Sequence, residues 1–175
     1  MMEIIESQST LKKEGKTLPH FGLINEDALG PVKGPLMRAK LHIRGARRRF
    51  ERGQITDGIL ALYDALCSAM DWYIAAPERR RGLVVKEGDD LMNDESLYRV
   101  LVRSSVLDGS FNYQEMSSLV MKALDKDIQE STSEFDWREF MKKTETVFTA
   151  LGVMPFDEKT LPEERPEPFL KRPGQ

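Results

Sequence analysis

The most chemically distinctive stretch of this 175-residue sequence is a cluster of cationic side chains between Arg38 and Arg52. Its members are Arg38, Lys40, Arg44, Arg47, Arg48, Arg49 and Arg52. A second, shorter cluster follows further along the chain, at Arg79–Arg81. The planar guanidinium group binds phosphate oxygens in pairs, and its charge releases counterions from a nucleic-acid backbone. The candidate nucleic-acid-binding residues are therefore Arg44, Arg47, Arg48, Arg52, Arg79, Arg80 and Arg81.

The charge distribution offers a second interpretation of these arginines. Residues 33–86 hold 12 Lys/Arg against 5 Asp/Glu, whereas residues 87–175 hold 11 against 19. The basic region 33–86 and the acidic region 87–175 can attract each other within one chain or between two copies. Two alternatives stay open: a face that binds the phosphates of a nucleic acid, or a face that the protein's own acids neutralise.

Three aspartates, Asp57, Asp64 and Asp71, recur every seven residues along the second predicted helix. Carboxylate oxygens are suitable ligands for hard cations such as Ca²⁺ and Mg²⁺. Side chains seven residues apart lie about 10 Å from each other along a helix axis. Two of them cannot share one ion without ligands from another helix. We expect the aspartates to face solvent or to pair with arginines of the first helix.

The segment Asp108–Glu115 resembles the second half of an EF-hand calcium loop, in which a glycine follows the aspartate and a glutamate ends the loop. The two positions that carry the first acidic ligands of that motif hold Ser104 and Val106 here. A glycine turn followed by a helix capped by Asn112, with Glu115 completing a capping box, explains the same residues. We therefore expect no bound calcium, no other metal and no cofactor.

Few residues are placed for nucleophilic chemistry. Cys67 is the only cysteine, so no intrachain disulfide can form, and its apolar helical surroundings indicate an inert core thiol. His20 and His42 are not spaced with Cys67 as metal ligands. The chain has no P-loop, no Gly-x-Gly-x-x-Gly and no Gly-x-Ser-x-Gly sequence. With no secretory signal pattern and no long apolar run, we expect a cytoplasmic protein without a membrane partner.

Hydrophobic periodicity predicts an all-α fold, namely an up-and-down bundle of about five helices. We expect an irregular N-terminal arm over residues 1–34, a helical bundle domain over 35–152 and a Pro-rich extended tail over 153–175. The second helix is apolar on almost every side, which predicts that it lies at the centre of the bundle. Alternatively, the tail lies across the domain, with Phe156, Leu161, Phe169 and Leu170 docked in surface grooves.

Turn and cap residues predict the ends of the helices. Pro35 suits the first position of the first helix, and Gly53 suits its end. Thr56 is expected to cap the second helix. The last helix is expected to start at Ser131–Ser133 and to end at Gly152.

The stretch Ala39–Ile74 resembles the first helical pair of HEPN-type domains, in which a basic helix ends in glycine and an apolar helix with small residues follows. The matching positions are Gly53, Tyr63, Ala65 and Ala69. The resemblance implies a bundle of four or five helices, often dimeric, that binds or cuts RNA or pairs with a nucleotidyltransferase. Ribonuclease members place four to six residues between an arginine and a histidine. Arg38 and His42 have three between them, so the resemblance does not extend to the nuclease motif.

The same helical pair resembles one tetratricopeptide hairpin, at Gly53, Gly58-Ile59 and Ala65-Leu66. A repeat array needs a second copy at a spacing of about 34 residues, and the sequence contains none. Both resemblances predict a helical hairpin.

The sequence favours a non-enzymatic helical protein-interaction module that self-associates as a homodimer or larger homo-oligomer. This expectation rests on the apolar surplus of the second and last helices and on a Pro-rich tail suited to lie on a partner. The alternative is a HEPN-type RNA-binding protein that uses the arginine-rich helix. A metal-dependent hydrolase built on helical carboxylates ranks third.

Overall fold

The computed structural model describes residues 23–125 and 135–164. Within these ranges the chain forms α1 (Glu26–Glu51), α2 (Ile55–Ala75), α3 (Pro77–Arg80), α4 (Asp94–Arg103), α5 (Tyr113–Leu124), α6 (Trp137–Leu151) and a 3-10 turn (Glu158–Thr160). No β-strand occurs in the described ranges. The prediction of an all-α helical bundle is confirmed. The expectations for residues 1–22, 126–134 and 165–175 lie outside the described residues.

Helix α1 begins at Glu26, so the prediction that it begins at Pro35 is wrong. Asn25 caps it, because its side chain accepts a hydrogen bond from the Ala28 N–H at 3.3 Å. Gly30 kinks the helix with φ 85° and ψ 178°, and Pro31 follows. In the sequence, a glycine followed by a proline is typical of a loop, and both residues fall in the predicted irregular arm. Proline nevertheless fits the first turn after a kink, since its missing N–H needs no helical partner there.

Glycines end α1 and α6 at the predicted positions. Gly53 adopts φ 78° directly after α1, and the Gln54 N–H reaches back to the Arg49 carbonyl at 2.8 Å. Gly152 adopts φ 86° after α6. Both are left-handed conformations that a residue without Cβ adopts at little cost, which is why glycine ends helices so often.

The predicted starts of α2 and α6 are wrong. Helix α2 begins at Ile55, and Thr56 lies inside it rather than capping it. Helix α6 begins at Trp137, because the Asp136 side chain accepts a hydrogen bond from the Glu139 N–H at 3.2 Å. Short polar residues precede both helices in several places, and local sequence does not say which of them becomes the cap.

Helix α2 is the central helix, and it packs against each of the other five described helices. Apolar residues spaced three or four apart on α1 face it and are buried: Ala39, Ile43, Ala46 and Phe50. The side chains of Ile59, Leu62, Leu66 and Met70 supply the opposing surface. A hairpin of α1 and α2, joined by three residues, therefore forms the main part of the core.

The first part of the tail lies against the helices. Val153 is 1% exposed and Leu161 is 6% exposed. Between them the chain makes the turn Glu158–Thr160, which Asp157 caps by accepting a hydrogen bond from the Lys159 N–H at 2.9 Å. Residues 153–164 are thus docked on the bundle, as the apolar side chains of the tail suggested.

Replacing Gly58 with alanine tests how closely α1 and α2 approach. A Cβ at this position would lie 2.6 Å from two ring carbons of Phe50. That ring is 2% exposed and stacks on Trp137 at 5.3 Å between centroids, so it has little room to move. Overpacking costs about 1–3 kcal/mol, against about 1 kcal/mol gained from the helix propensity of alanine. We expect Gly58→Ala to lower the free energy of unfolding by about 1 kcal/mol.

Urea denaturation measures this change, and Phe50→Leu provides the matched background. In that background the smaller side chain gives space for the new methyl group, so Gly58→Ala should become neutral or stabilising. Equal effects in both backgrounds would show that the ring does not limit the approach of the helices.

Candidate functional site

The described structure places an acidic segment of the tail directly on the basic helix. We name Arg44, Arg47, Arg48 and Arg49 of α1 the arginine face, and residues 157–164 the acidic tail segment. About 110 residues separate the two along the sequence, and the bundle brings them together because Val153 and Leu161 are buried. The two parts form the largest cluster of ion pairs in the described residues.

Three arginines of the face pair with glutamates of the tail segment. Arg47 pairs with Glu158 and, at 3.3 Å, with Glu145 of α6. Arg48 lies 3.6 Å from Glu163 and 3.8 Å from Glu164. Arg49 makes the best-shielded contact, at 2.8 Å to Glu164, with side-chain exposures of 10% and 17%. Because both side chains are largely shielded, water screens the attraction of this pair less than that of the more exposed pairs beside it.

Arg44 differs from its neighbours because it is buried without a carboxylate partner. The residue is 1% exposed, and its Nη2 donates to the backbone carbonyl of Pro162 at 2.6 Å. Its Nε and Nη1 have no hydrogen-bond partner among the described residues. Burial, together with the positive charge of Arg48, lowers the pKa of Arg44. The tail thus covers this guanidinium without satisfying it.

The remaining candidate residues of the basic clusters are not brought into this contact. Arg52, Arg80 and Arg81 are exposed and form no ion pair with other described residues. Arg79 lies over the Trp72 ring at 4.0 Å and donates to the carbonyls of Trp72 and Tyr73 at 2.7 and 2.9 Å. Arg79 therefore satisfies the C-terminal carbonyl groups of α2.

A second polar cluster lies inside the hairpin of α1 and α2. Asp64 of α2 accepts hydrogen bonds from Arg38 Nη2 at 2.8 Å and Nε at 3.2 Å, and His42 Nε2 lies 2.8 Å from its Oδ2. Burial acts to raise the pKa of Asp64, but the contacts with His42 and Arg38 outweigh it and hold that pKa well below its usual range. His42 is 0% exposed. The cluster joins the two helices of the hairpin.

Asp71, the third aspartate of the row, and the neighbouring Cys67 have raised pKa values, in contrast to Asp64. Partial desolvation and the negative charge of Asp94 raise the pKa of Asp71 to about 6. Burial and the charges of Asp94 and Asp64 raise the pKa of the Cys67 thiol. A thiol in such surroundings stays protonated near neutral pH and is a poor nucleophile. Neither residue indicates catalysis.

The segment Asp108–Glu115 forms a turn and a capped helix. Asp108 Oδ1 accepts hydrogen bonds from the backbone N–H and the hydroxyl of Ser110 at 2.9 and 2.6 Å. Asn112 Oδ1 accepts from the Glu115 N–H at 3.0 Å, so the predicted cap is confirmed. A cleft of about 400 Å³ lies beside the turn, between α4 and α6. Across residues 23–125 and 135–164, no group of three or more His, Cys, Asp or Glu could hold a metal ion.

Sequence reasoning identified the arginine cluster but missed several residues of the observed site. It omitted Arg49 from the candidate set, and it did not identify Glu158, Glu163 and Glu164 as the acids that pair with the helix. The acidic surplus of residues 87–175 was the available signal. The expectation that an aspartate of the row pairs with an arginine of the first helix is met by Asp64 and Arg38.

Asp64→Asn tests the polar cluster. The substitution removes the buried carboxylate that holds His42 and Arg38, and breaking a buried charge pair costs about 3–5 kcal/mol; Arg38 keeps a longer contact with Glu26 and partial exposure, so we expect the low end of that range. Because the folded pKa of Asp64 is depressed, its contribution is fully present above about pH 4 and falls as the pH drops further. Thermal or urea unfolding of both proteins from pH 3 to 8 should show a constant gap above pH 4. A gap below 1 kcal/mol at pH 7 contradicts this account.

Asp71→Asn should have the opposite effect on stability. The folded pKa of Asp71 is raised to about 6, so the folded state binds the extra proton and stability falls as the pH rises from about 4 to 6. The neutral amide removes that loss. Since the residue is exposed, we expect a gain of at most about 1 kcal/mol at pH 7 and none at pH 4. The same pH series measures it, and destabilisation at pH 7 contradicts the assignment.

None of the helices in the described ranges combines the length and the apolar character needed to cross a membrane. We found no matching protein-family model, and no curated protein or solved structure matches the chain significantly. The HEPN and tetratricopeptide resemblances therefore stay predictions.

Proposed function

We propose that the chain is a non-enzymatic helical protein-interaction module that binds an acidic, extended peptide segment on the arginine face. In this proposal the module self-associates when a second copy supplies the segment. The observation that carries the proposal is the docking of residues 157–164 on α1 through Arg47, Arg48 and Arg49. The chain contains both a receptor surface and a ligand of matching charge.

The kinds of contact favour a peptide over a nucleic acid as the ligand of this face. Leu161 is buried as the apolar anchor of the segment, and Arg44 contacts a backbone carbonyl. An apolar anchor, a main-chain contact and flanking ion pairs are the elements of extended-peptide recognition. A phosphate backbone offers neither the apolar anchor nor the peptide carbonyl.

Self-association follows from the fact that the ligand belongs to the chain itself. The pairs that hold the tail segment would form equally well between two copies, since exchange of an identical element keeps every contact. In one chain, a short linker gives the segment an effective concentration of about mM. Exchange between unaltered copies is therefore favoured only at comparably high protein concentration.

RNA binding of HEPN type is the second candidate function. The exposed positions of Arg52, Arg80 and Arg81 favour it, because these guanidinium groups form no ion pair with other described residues. The arginines of the face itself could contact phosphates only after release of the tail segment. This makes RNA binding the weaker of the two proposals for the chain in its closed state.

A charge exchange between two variants tests the peptide module. One variant carries Arg47→Glu and Arg48→Glu, and the other carries Glu158→Arg and Glu163→Arg. In each variant like charges at two positions of the contact oppose closure of its own tail, although Arg49–Glu164 and Leu161 are unchanged. The reversed face of the first variant matches the reversed tail of the second. Light scattering after gel filtration should show a heterodimer in the mixture at tens of µM, well below the roughly mM range expected for unaltered copies. All four substitutions in one chain should restore the closed monomer.

The matched control variant carries Arg52→Glu instead of Arg47→Glu and Arg48→Glu. Arg52 lies outside the contact. The mixture of this control with the tail variant should stay monomeric. If the face and tail variants also remain monomeric together while both are folded by circular dichroism, the proposal of a peptide-binding face fails.

A further inference from the structure

The buried guanidinium of Arg44 is the least satisfied group of the contact. Its Nη2 donates to the Pro162 carbonyl, while its Nε and Nη1 find no acceptor among the described residues. No carboxylate oxygen of those residues lies within 4.0 Å of it, although Glu163, Glu164 and Glu158 act on it electrostatically. A buried charge with one neutral acceptor is an unfavourable arrangement, because both charge and N–H groups have lost water.

The position of the acceptor indicates what would satisfy Arg44 better. The oxygen that it contacts belongs to the main chain, at the carbonyl of Pro162. If a peptide ended at this residue, the carbonyl would become an α-carboxylate with a second oxygen and a negative charge at the same place. A guanidinium and a carboxylate can then form an ion pair with two parallel N–H···O hydrogen bonds, in place of a single bond to a neutral oxygen. Recognition of a free chain end by a cationic group is an established mode of peptide binding.

We propose that the arginine face binds the free C-terminus of an extended peptide, with the terminal carboxylate on Arg44. The preceding apolar residue takes the place of Leu161, and an acidic residue further back pairs with Arg47, as Glu158 does in the tail. The internal tail segment is then an incomplete substitute for this ligand. The inference rests on the proposed peptide-binding function and specifies its ligand.

The test uses two labelled peptides that differ in one group. Both have the sequence of residues 157–162, Asp-Glu-Lys-Thr-Leu-Pro, and one ends in a free acid whereas the other ends in an amide. The receptor is the full chain with Leu161→Ser and Glu164→Gln, which remove the apolar anchor and the best-shielded ion pair of the tail and leave every arginine in place. Fluorescence anisotropy measures the two affinities.

We expect the acid to bind about tenfold more tightly than the amide, which corresponds to the difference between a charged and a neutral acceptor. Arg44→Gln in the same receptor should remove that difference. Arg52→Gln, outside the contact, should leave it unchanged. Equal affinities for the acid and the amide overturn the inference.

A third peptide separates failure of the inference from failure of the proposed function. It covers residues 157–164 with an amidated end and so keeps Glu163 and Glu164 without a terminal charge. Binding of this peptide, with equal affinities of the two shorter ones, overturns only the C-terminal carboxylate. If none of the three binds, the peptide-binding function fails as well. If single-stranded RNA displaces all of them at physiological salt and the acid shows no advantage, the face binds nucleic acid and both are wrong.

The unaltered chain provides the same comparison if the receptor variant does not fold. At mM concentrations the peptide competes with the tail, so the free acid should raise the melting temperature more than the amide does. Identical shifts with the two peptides overturn the inference in this form too.

Discussion

The arrangement of this protein depends on the neutralisation of the charges on α1. The helix packs its apolar stripe on α2, and its arginines lie on the flanks of that stripe, where α2 and the tail cover them. A covered guanidinium needs acceptors, since a buried charge without partners costs several kcal/mol. Asp64 supplies them to Arg38 on one flank. On the other flank, the glutamates of the tail supply them to Arg47, Arg48 and Arg49.

Most of the helical architecture could be predicted because it follows from local rules. The 3–4 spacing of Ala39, Ile43, Ala46 and Phe50 marks one helix face, and the same residues are buried. The predictions failed at the starts of α1, α2 and α6, whereas the Asn112 cap of α5 was predicted correctly. The kink at Gly30 reads as a loop in sequence, because a glycine followed by proline usually ends a helix. Here the helix resumes, since the resumed segment packs on α2.

The candidate site could be predicted only in part, and the reason lies in the range of its contacts. The arginine cluster is a local pattern, and the sequence showed it. Its partners lie about 100 residues away, so no periodicity connects Arg49 with Glu164. The burial of Arg44 was also invisible, because helical periodicity assumes one covered face and α1 is covered on two. The excess of Asp and Glu over residues 87–175 indicated that this region could neutralise the helix. It did not indicate which acidic residues pair with which arginines.

The closed tail sets the conditions under which the arginine face can act. An external ligand binds only the open fraction of molecules, and its apparent affinity is reduced by that fraction. A tail that satisfied every arginine would hold this fraction so low that few ligands could compete. The segment 157–164 leaves Arg44 with a single neutral acceptor and Glu163 with an 81% exposed side chain. The ion pairs of the tail compensate most of the positive charge on α1 in the isolated molecule, even though the fit at Arg44 is incomplete. Under the proposed function, a ligand with one better-placed negative charge replaces the tail, because each additional 1.4 kcal/mol of differential affinity shifts the competition about tenfold.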